Sequence, residues 1–198
     1  MGRGEPISDT TEVLTRMAYA IVWRTFEQSR IEEMASVATV PVVNALTDEF
    51  HPCQVLADFL TLAQFKGGVD ALEGMSIAYL GDAANNMANS YLLAGAVAGM
   101  HVAVAGPNGY LPDEAIVQDA EAIAATTGGS ILVTTNPLEA VAGADCVFTD
   151  TWVSMGEESQ YAVRSKRSGP IRSTRSSWGM PSPTRCSSTA CPPTAARR

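Results

Sequence analysis

Histidine is scarce in this 198-residue sequence, at His51 and His101 only, and the four cysteines Cys53, Cys146, Cys186 and Cys191 form no CxxC pair. Neither a zinc site nor a disulfide framework has the side chains it needs, so the cysteines read as free thiols. No run approaches the roughly 18 uninterrupted apolar residues of a membrane span, and MGRGEPISDT lacks an apolar signal core. The expected setting is the cytosol, without a membrane partner. Basic residues are thin as well: up to Arg164, six Lys and Arg face all 21 Asp and Glu. Nucleic-acid binding needs clustered cations, and this body excludes it. From Ser165 to Arg198 the balance inverts, with seven basic residues and no acid.

What is present is a core-former. Hydrophobic residues make up 46% of the sequence, enough for a globular α/β chain. SDTTEVLTRM, opening at Ser8 with a capping pattern, predicts a helix, and AYAIVW (18–23) a buried strand. FEQSRIEEMASVA places Ile31, Met34 and Ala38 on one helical face, and VPVVNAL (40–46) is a β-branched strand. Between His51 and Phe65, the residues Val55, Phe59 and Leu62 recur at helical spacing, and KGG ends that helix.

The second half alternates in the same way. MSIAYL, HVAVAG, SILVTT and DCVFTD read as strands, separated by helices from about Asn85 to Ala98, over DEAIVQDAEAIAA and over PLEAVAGA. Strict alternation predicts βαβ units and parallel sheets, hence two doubly wound domains joined by the helix that starts at His51. Ligands in such sheets bind beyond the carboxyl ends of the strands. HPCQ, GDAANN and DTWVSMG each follow a predicted strand there.

GDAANNMANS sits where a dinucleotide fold carries GxGxxG but lacks that pattern, which argues against NAD. Asn85 and Asn86 open the helix instead, and suit a small carboxylate beside free helix amides; the plainer alternative is that one of them only caps the helix. In DTWVSMGEE, Asp150 can hold an ammonium group while Ser154 offers a polar contact, or the stretch is a solvated turn. Together these residues describe a grip for an amino acid. Arg24 ends a strand, where a guanidinium can take phosphate or carboxylate, or form a structural ion pair. His51 starts a helix, with Gln54 one turn later. The pair can polarise a planar carbonyl, or His51 can be an ordinary helix-start residue. Cys53 and Cys146 read as packed thiols, Trp23 and Trp152 as wall residues, and His101 as structural.

Taken together, IVWRTF, VPVVNALTDEFHPCQVLADF, YLGDAANNMANS and TDTWVSMGEE resemble the ornithine branch of the carbamoyltransferase family, over about residues 2 to 164. HPxQ is common to the whole family, whereas GDxxNNxxxS and DxWVSMG mark the ornithine branch. The resemblance implies transfer of a carbamoyl group from carbamoyl phosphate to the δ-amine of L-ornithine, giving citrulline and phosphate with no metal or cofactor. It assigns carbamoyl phosphate to Arg24, His51 and Gln54, with Pro52 and Cys53 shaping that turn. It assigns ornithine to Asn86, Asp150, Ser154 and Met155, and implies a homotrimer with sites shared between subunits. A carbamoyltransferase for another amine such as putrescine, and an inactive remnant that binds an amino acid, are the alternatives. On the same basis residues 1–50 correspond to the end of a carbamoyl-phosphate domain, 51–66 to a linking helix and 67–164 to an incomplete ornithine domain.

Two departures stand out. The family's S-T-R-T-R phosphate loop is expected before residue 1 and is not in this chain. Its H-C-L-P motif is also missing, and only ACPP appears in a tail where Ser, Thr and Pro fill 17 of 34 positions. A coding sequence for CSSTACPPTAARR can be written whose other frame reads V-F-L-H-C-L-P-A-H-R-G-E-E. A frameshift near Ser165 is therefore expected, leaving 165–198 an aberrant basic, disordered tail.

Overall fold

Strand and helix alternate along the chain as the periodicity predicts. The computed structural model describes residues 4–150. It opens with α1 (Ile7–Leu14), β1 (Ile21–Arg24), α2 (Gln28–Val37), β2 (Val42–Leu46) and α3 (Pro52–Lys66). A 3-10 turn at Val69–Leu72 leads into β3 (Ser76–Leu80), α4 (Asn86–Val97), β4 (His101–Ala105), α5 (Glu114–Thr127), β5 (Ser130–Thr134), α6 (Pro137–Ala140) and β6 (Cys146–Phe148).

The starts of α1 and β1 differ from the sequence reading. Ser8 does not cap α1; its hydroxyl donates to Asp9 Oδ1, and the helix starts one residue earlier behind Pro6. The AYA stretch is not strand, because the amides of Arg16, Met17 and Ala18 still bond back to the end of α1 and Tyr19 is left almost wholly exposed. At the end of α3 the KGG signal acts as expected. Gly67 adopts φ 98°, a left-handed cap, and the amides of Gly67 and Gly68 both bond to the Ala63 carbonyl.

The first half forms a two-stranded parallel sheet, β1 beside β2, in which Trp23 pairs with Asn44 and Arg24 with Leu46 across a register irregularity. The second half forms a four-stranded parallel sheet in the order β5-β4-β3-β6. From β3 the chain winds outward through β4 to β5, then returns to the other side of β3. Strands β3 and β6, neighbours in the sheet but distant in the chain, mark the switch in strand order, and ligands of such sheets bind beyond the carboxyl ends of the strands at that point.

Alternation along β3 assigns its two faces. Ile77 and Tyr79 join the larger buried cluster with α3, α4 and α5, whereas Ala78 and Leu80 face Ala140 and Val141 on the other side. Val55, Phe59 and Leu62 of α3 belong to that larger cluster, as their spacing predicts. Helix α3 thus follows the first sheet in the chain yet packs into the core of the second. Among the described residues no helix is long and apolar enough to cross a membrane.

Candidate active site

Arg24 is the last residue of β1 and is exposed. It borders an open depression of about 490 Å³ lined by Trp23, Arg24, Thr25, Phe26 and Arg30. Trp23 forms a wall there, with the Arg30 guanidinium 5.8 Å from its ring centroid.

His51 is the N-cap of α3, and Pro52 follows at the first helical position, where a missing N–H is harmless. The His51 carbonyl accepts from the amides of Gln54 and Val55, and its own N–H donates to Ser90 Oγ on α4 at 2.8 Å. The imidazole is half-buried, and its Nδ1 has no hydrogen-bond partner among the described residues. Burial, and next the nearby Arg24 cation, lower the His51 pKa below 6.5, while Asp150 and Asp58 oppose them. The ring is therefore neutral at pH 7. Arg24, His51 and Asp150, which end or follow three different strands, are close enough for their charges to act on one ring.

Cys53 is exposed rather than packed, and its thiol donates to the Asn44 carbonyl at 3.3 Å. Cys146 is buried in β6. Gln54 is not poised alone: its Nε2 donates to Asp58 Oδ1 at 3.1 Å. Asp58 Oδ2 in turn accepts the Tyr91 hydroxyl at 2.5 Å. Burial raises the Asp58 pKa, and the bonds from Tyr91 and Gln54 and the charge of His51 counteract it.

Of the two asparagines, Asn85 is the cap. Its side chain accepts from the Ala88 amide at 2.9 Å and donates to the Tyr79 hydroxyl at 2.8 Å. Asn86 reaches the other way, its Nδ2 donating to the Thr47 carbonyl at 2.9 Å. Asn89 Nδ2 donates to the Glu49 carbonyl at 3.1 Å. One face of α4 thus holds the whole loop from Thr47 to His51. Tyr79 on β3 is buried, and burial first, then the Asp150 charge, drives its hydroxyl pKa far above its usual value. Asp150 follows β6, just beyond its carboxyl end. His101 bonds Ser130 Oγ at 2.9 Å between β4 and β5, a structural contact away from the site. Ser154, Met155 and the tail 165–198 lie outside the described residues, as does Trp152. Among the described residues no group of three or more His, Cys, Asp or Glu is arranged to hold a metal ion.

Residues 73–176 match the family model described as aspartate/ornithine carbamoyltransferase, Asp/Orn binding domain, and residues 1–64 the companion carbamoyl-P binding domain. The chain is 72% identical over 166 residues to an ornithine carbamoyltransferase of Bifidobacterium longum subsp. infantis, covering 84% of this chain and 52% of that protein. The chain belongs to the aspartate/ornithine carbamoyltransferase family. A relative of the same name from Clavibacter michiganensis is 58% identical over 88% of the chain and 56% of its own length. The solved ornithine carbamoyltransferase of Pyrococcus furiosus superposes with a TM-score of 0.76 at 44% identity, over 84% of this chain and 52% of that one. The chain spans about half the length of the curated relatives it matches.

Seen as a member of the carbamoyltransferase family, the chain carries supports that sequence reading missed. Tyr91 and Asp58 are not singled out by the sequence, and Ser90 enters only as the last position of GDxxNNxxxS, although Asp58 interrupts the apolar face formed by Val55, Phe59 and Leu62. A carboxylate on a buried helical face, four residues after a candidate glutamine, was the available signal. Thr47 is fully buried, its hydroxyl donating to Gln28 Oε1 at 2.8 Å and accepting the Phe50 amide at 3.0 Å. It anchors the turn that leads to His51.

Proposed function

We propose that the chain is part of an ornithine carbamoyltransferase, converting carbamoyl phosphate and L-ornithine to L-citrulline and phosphate in cytoplasmic arginine metabolism. The observation that carries this reading is 72% identity to a protein of that name over 84% of the chain. The geometry supports it. Arg24 of the first half and Asp150 of the second both act electrostatically on the His51 ring, with opposite sign.

In this reading Arg24, His51 and Gln54 receive the carbamoyl group. The Arg24 cation and the neutral imidazole stabilise negative charge developing on the carbamoyl oxygen as the δ-amine attacks, and phosphate leaves. Pro52 and Cys53 shape the turn. Asn86, Asp150, Ser154 and Met155 hold the amino acid, with Asp150 as its ammonium partner. Residues 1–50 supply part of the carbamoyl-phosphate domain, 51–66 the linking helix and 67–164 the ornithine domain. The working assembly is a homotrimer, and no step calls for a metal, cofactor, nucleic acid or membrane.

The test is citrulline formation by the purified chain with ornithine or putrescine as acceptor. Turnover confined to ornithine supports the assignment. Turnover with putrescine overturns the acceptor, and ornithine binding without any product makes the chain an amino-acid-binding fragment.

A further inference from the structure

Asp58 is 9% exposed and lies on the core-facing side of α3, between Val55 and Phe59. Withdrawing an ionised carboxylate from water is unfavourable unless other groups replace its solvation. Two neutral donors do so here: the Tyr91 hydroxyl on Oδ2 at 2.5 Å and Gln54 Nε2 on Oδ1 at 3.1 Å. Packing alone does not explain this choice, because an apolar side chain of similar volume would fill the same space without the desolvation. What an acceptor at this place does is select one of the two planar orientations of the Gln54 amide. The nitrogen turns toward Asp58, and the carbonyl oxygen turns away.

Tyr91 is itself immobilised. Its ring stacks on Phe148 with centroids 4.5 Å apart and tilts against Tyr79 and Phe59. The residue before it, Ser90, holds the backbone N–H of His51. Two consecutive residues of α4 therefore fix both ends of the segment that carries His51 and Gln54.

We infer that Asp58 and Tyr91 are positioning residues, and that the chain of bonds from the Tyr91 hydroxyl through the Asp58 carboxylate to the Gln54 amide sets which edge of Gln54 meets the carbamoyl group. This rests on the reading that His51 and Gln54 receive that group. It makes the ornithine half of the chain a determinant of carbamoyl recognition, because Tyr91 belongs to α4 and Gln54 to the linking helix.

The test uses the full chain with Tyr91→Phe and Asp58→Leu, two changes of similar volume that remove the hydroxyl donor and the carboxylate acceptor respectively. Proton–nitrogen spectra follow the Gln54 side-chain amide without ligand, and carbamoyl phosphate is then titrated. In each variant the Gln54 amide signal shifts and its solvent exchange rises at least tenfold, while backbone amides of β3 keep their protection. Carbamoyl phosphate binding weakens at least tenfold. Unchanged Gln54 signals in both variants, or equal affinity for carbamoyl phosphate in parent and variants, overturn the inference. A parent chain that shows no carbamoyl phosphate binding, but whose Gln54 signal responds to both substitutions, overturns the carbamoyl reading and leaves the positioning tie supported.

Discussion

Ser90 Oγ accepts the backbone N–H of His51 at 2.8 Å and donates its own hydroxyl to the Asn86 carbonyl at 2.6 Å. Thirty-nine positions separate the two residues in the chain. An N-cap residue has a backbone N–H outside the helix ladder, and here a side chain from another helix takes it. The start of α3 is thus fixed by α4 rather than by its own cap, because no side chain caps α3 internally.

Replacing Ser90 by Ala removes the acceptor and leaves the half-buried His51 N–H unsatisfied. The expected loss of unfolding free energy is about 1–3 kcal/mol, the usual penalty for an orphaned donor. Urea denaturation measures it. A midpoint equal to that of the parent would show that water or a shift of the loop replaces the bond.

His51 is held neutral by burial and by Arg24. Its folded pKa lies below the unfolded value of 6.5, so the unfolded chain binds the proton first as pH falls. This contribution to stability is complete above pH 6.5 and is lost as pH drops from there to the folded pKa. Arg24→Gln raises the titration midpoint of the ring, whereas Asp58→Asn lowers it, since the Asp58 charge favours the imidazolium. Proton NMR of the imidazole follows both. An Arg24→Gln midpoint at or below the parent's would remove Arg24 from the neighbourhood of the ring.

The elements were legible because their signals are local. Val55, Phe59 and Leu62 repeat at helical spacing and are buried together, and Gly67 ends α3 where KGG predicts. The parallel sheets followed from alternation, and the functional loops follow from where strands end. What could not be read was the contact between distant segments. Nothing near Ser90 points to His51, and nothing near Tyr91 points to Asp58. The Asn pair was legible only as a pair; that Asn85 caps while Asn86 reaches Thr47 depends on how α4 meets the loop after β2. The thiol of Cys53 was misjudged for a related reason. It sits on the exposed side of the first turn of α3, next to the buried face that a sequence pattern emphasises.

Gly95 lets α4 lie against β4. A Cβ added there would fall 2.3 Å from Val102 Cγ2, and a valine in a buried strand has little freedom to turn aside. Gly95→Ala is expected to destabilise by about 1–3 kcal/mol through overpacking, despite the better helix propensity of alanine. Combining it with Val102→Ala relieves the clash, so the double variant is less destabilised than the two single effects added together. Thermal unfolding of the four chains measures the coupling, and strict additivity would place the strain elsewhere.

Lys66 and Asp145 join the end of α3 to the approach to β6 through a 3.0 Å ion pair. Both side chains are more than a third exposed, so the pair itself contributes about 0–1 kcal/mol. Asp145 does more than pair: its Oδ2 accepts the Ser76 amide at the start of β3 at 3.1 Å. That backbone bond first, and Lys66 second, lower its pKa below 3.8. Lys66→Ala should therefore leave stability nearly unchanged, whereas Asp145→Ala removes the acceptor that orders the entry to the central strand and lowers stability further. The sign of the pH effect follows from the lowered pKa. The carboxylate stabilises the fold above pH 3.8 and ceases to do so as pH falls through its folded value, so the difference between parent and Asp145→Ala shrinks in acid. Unfolding midpoints measured from pH 7 down to pH 3 check this. Equal losses from the two substitutions would make the ion pair, rather than the strand amide, the contact that matters.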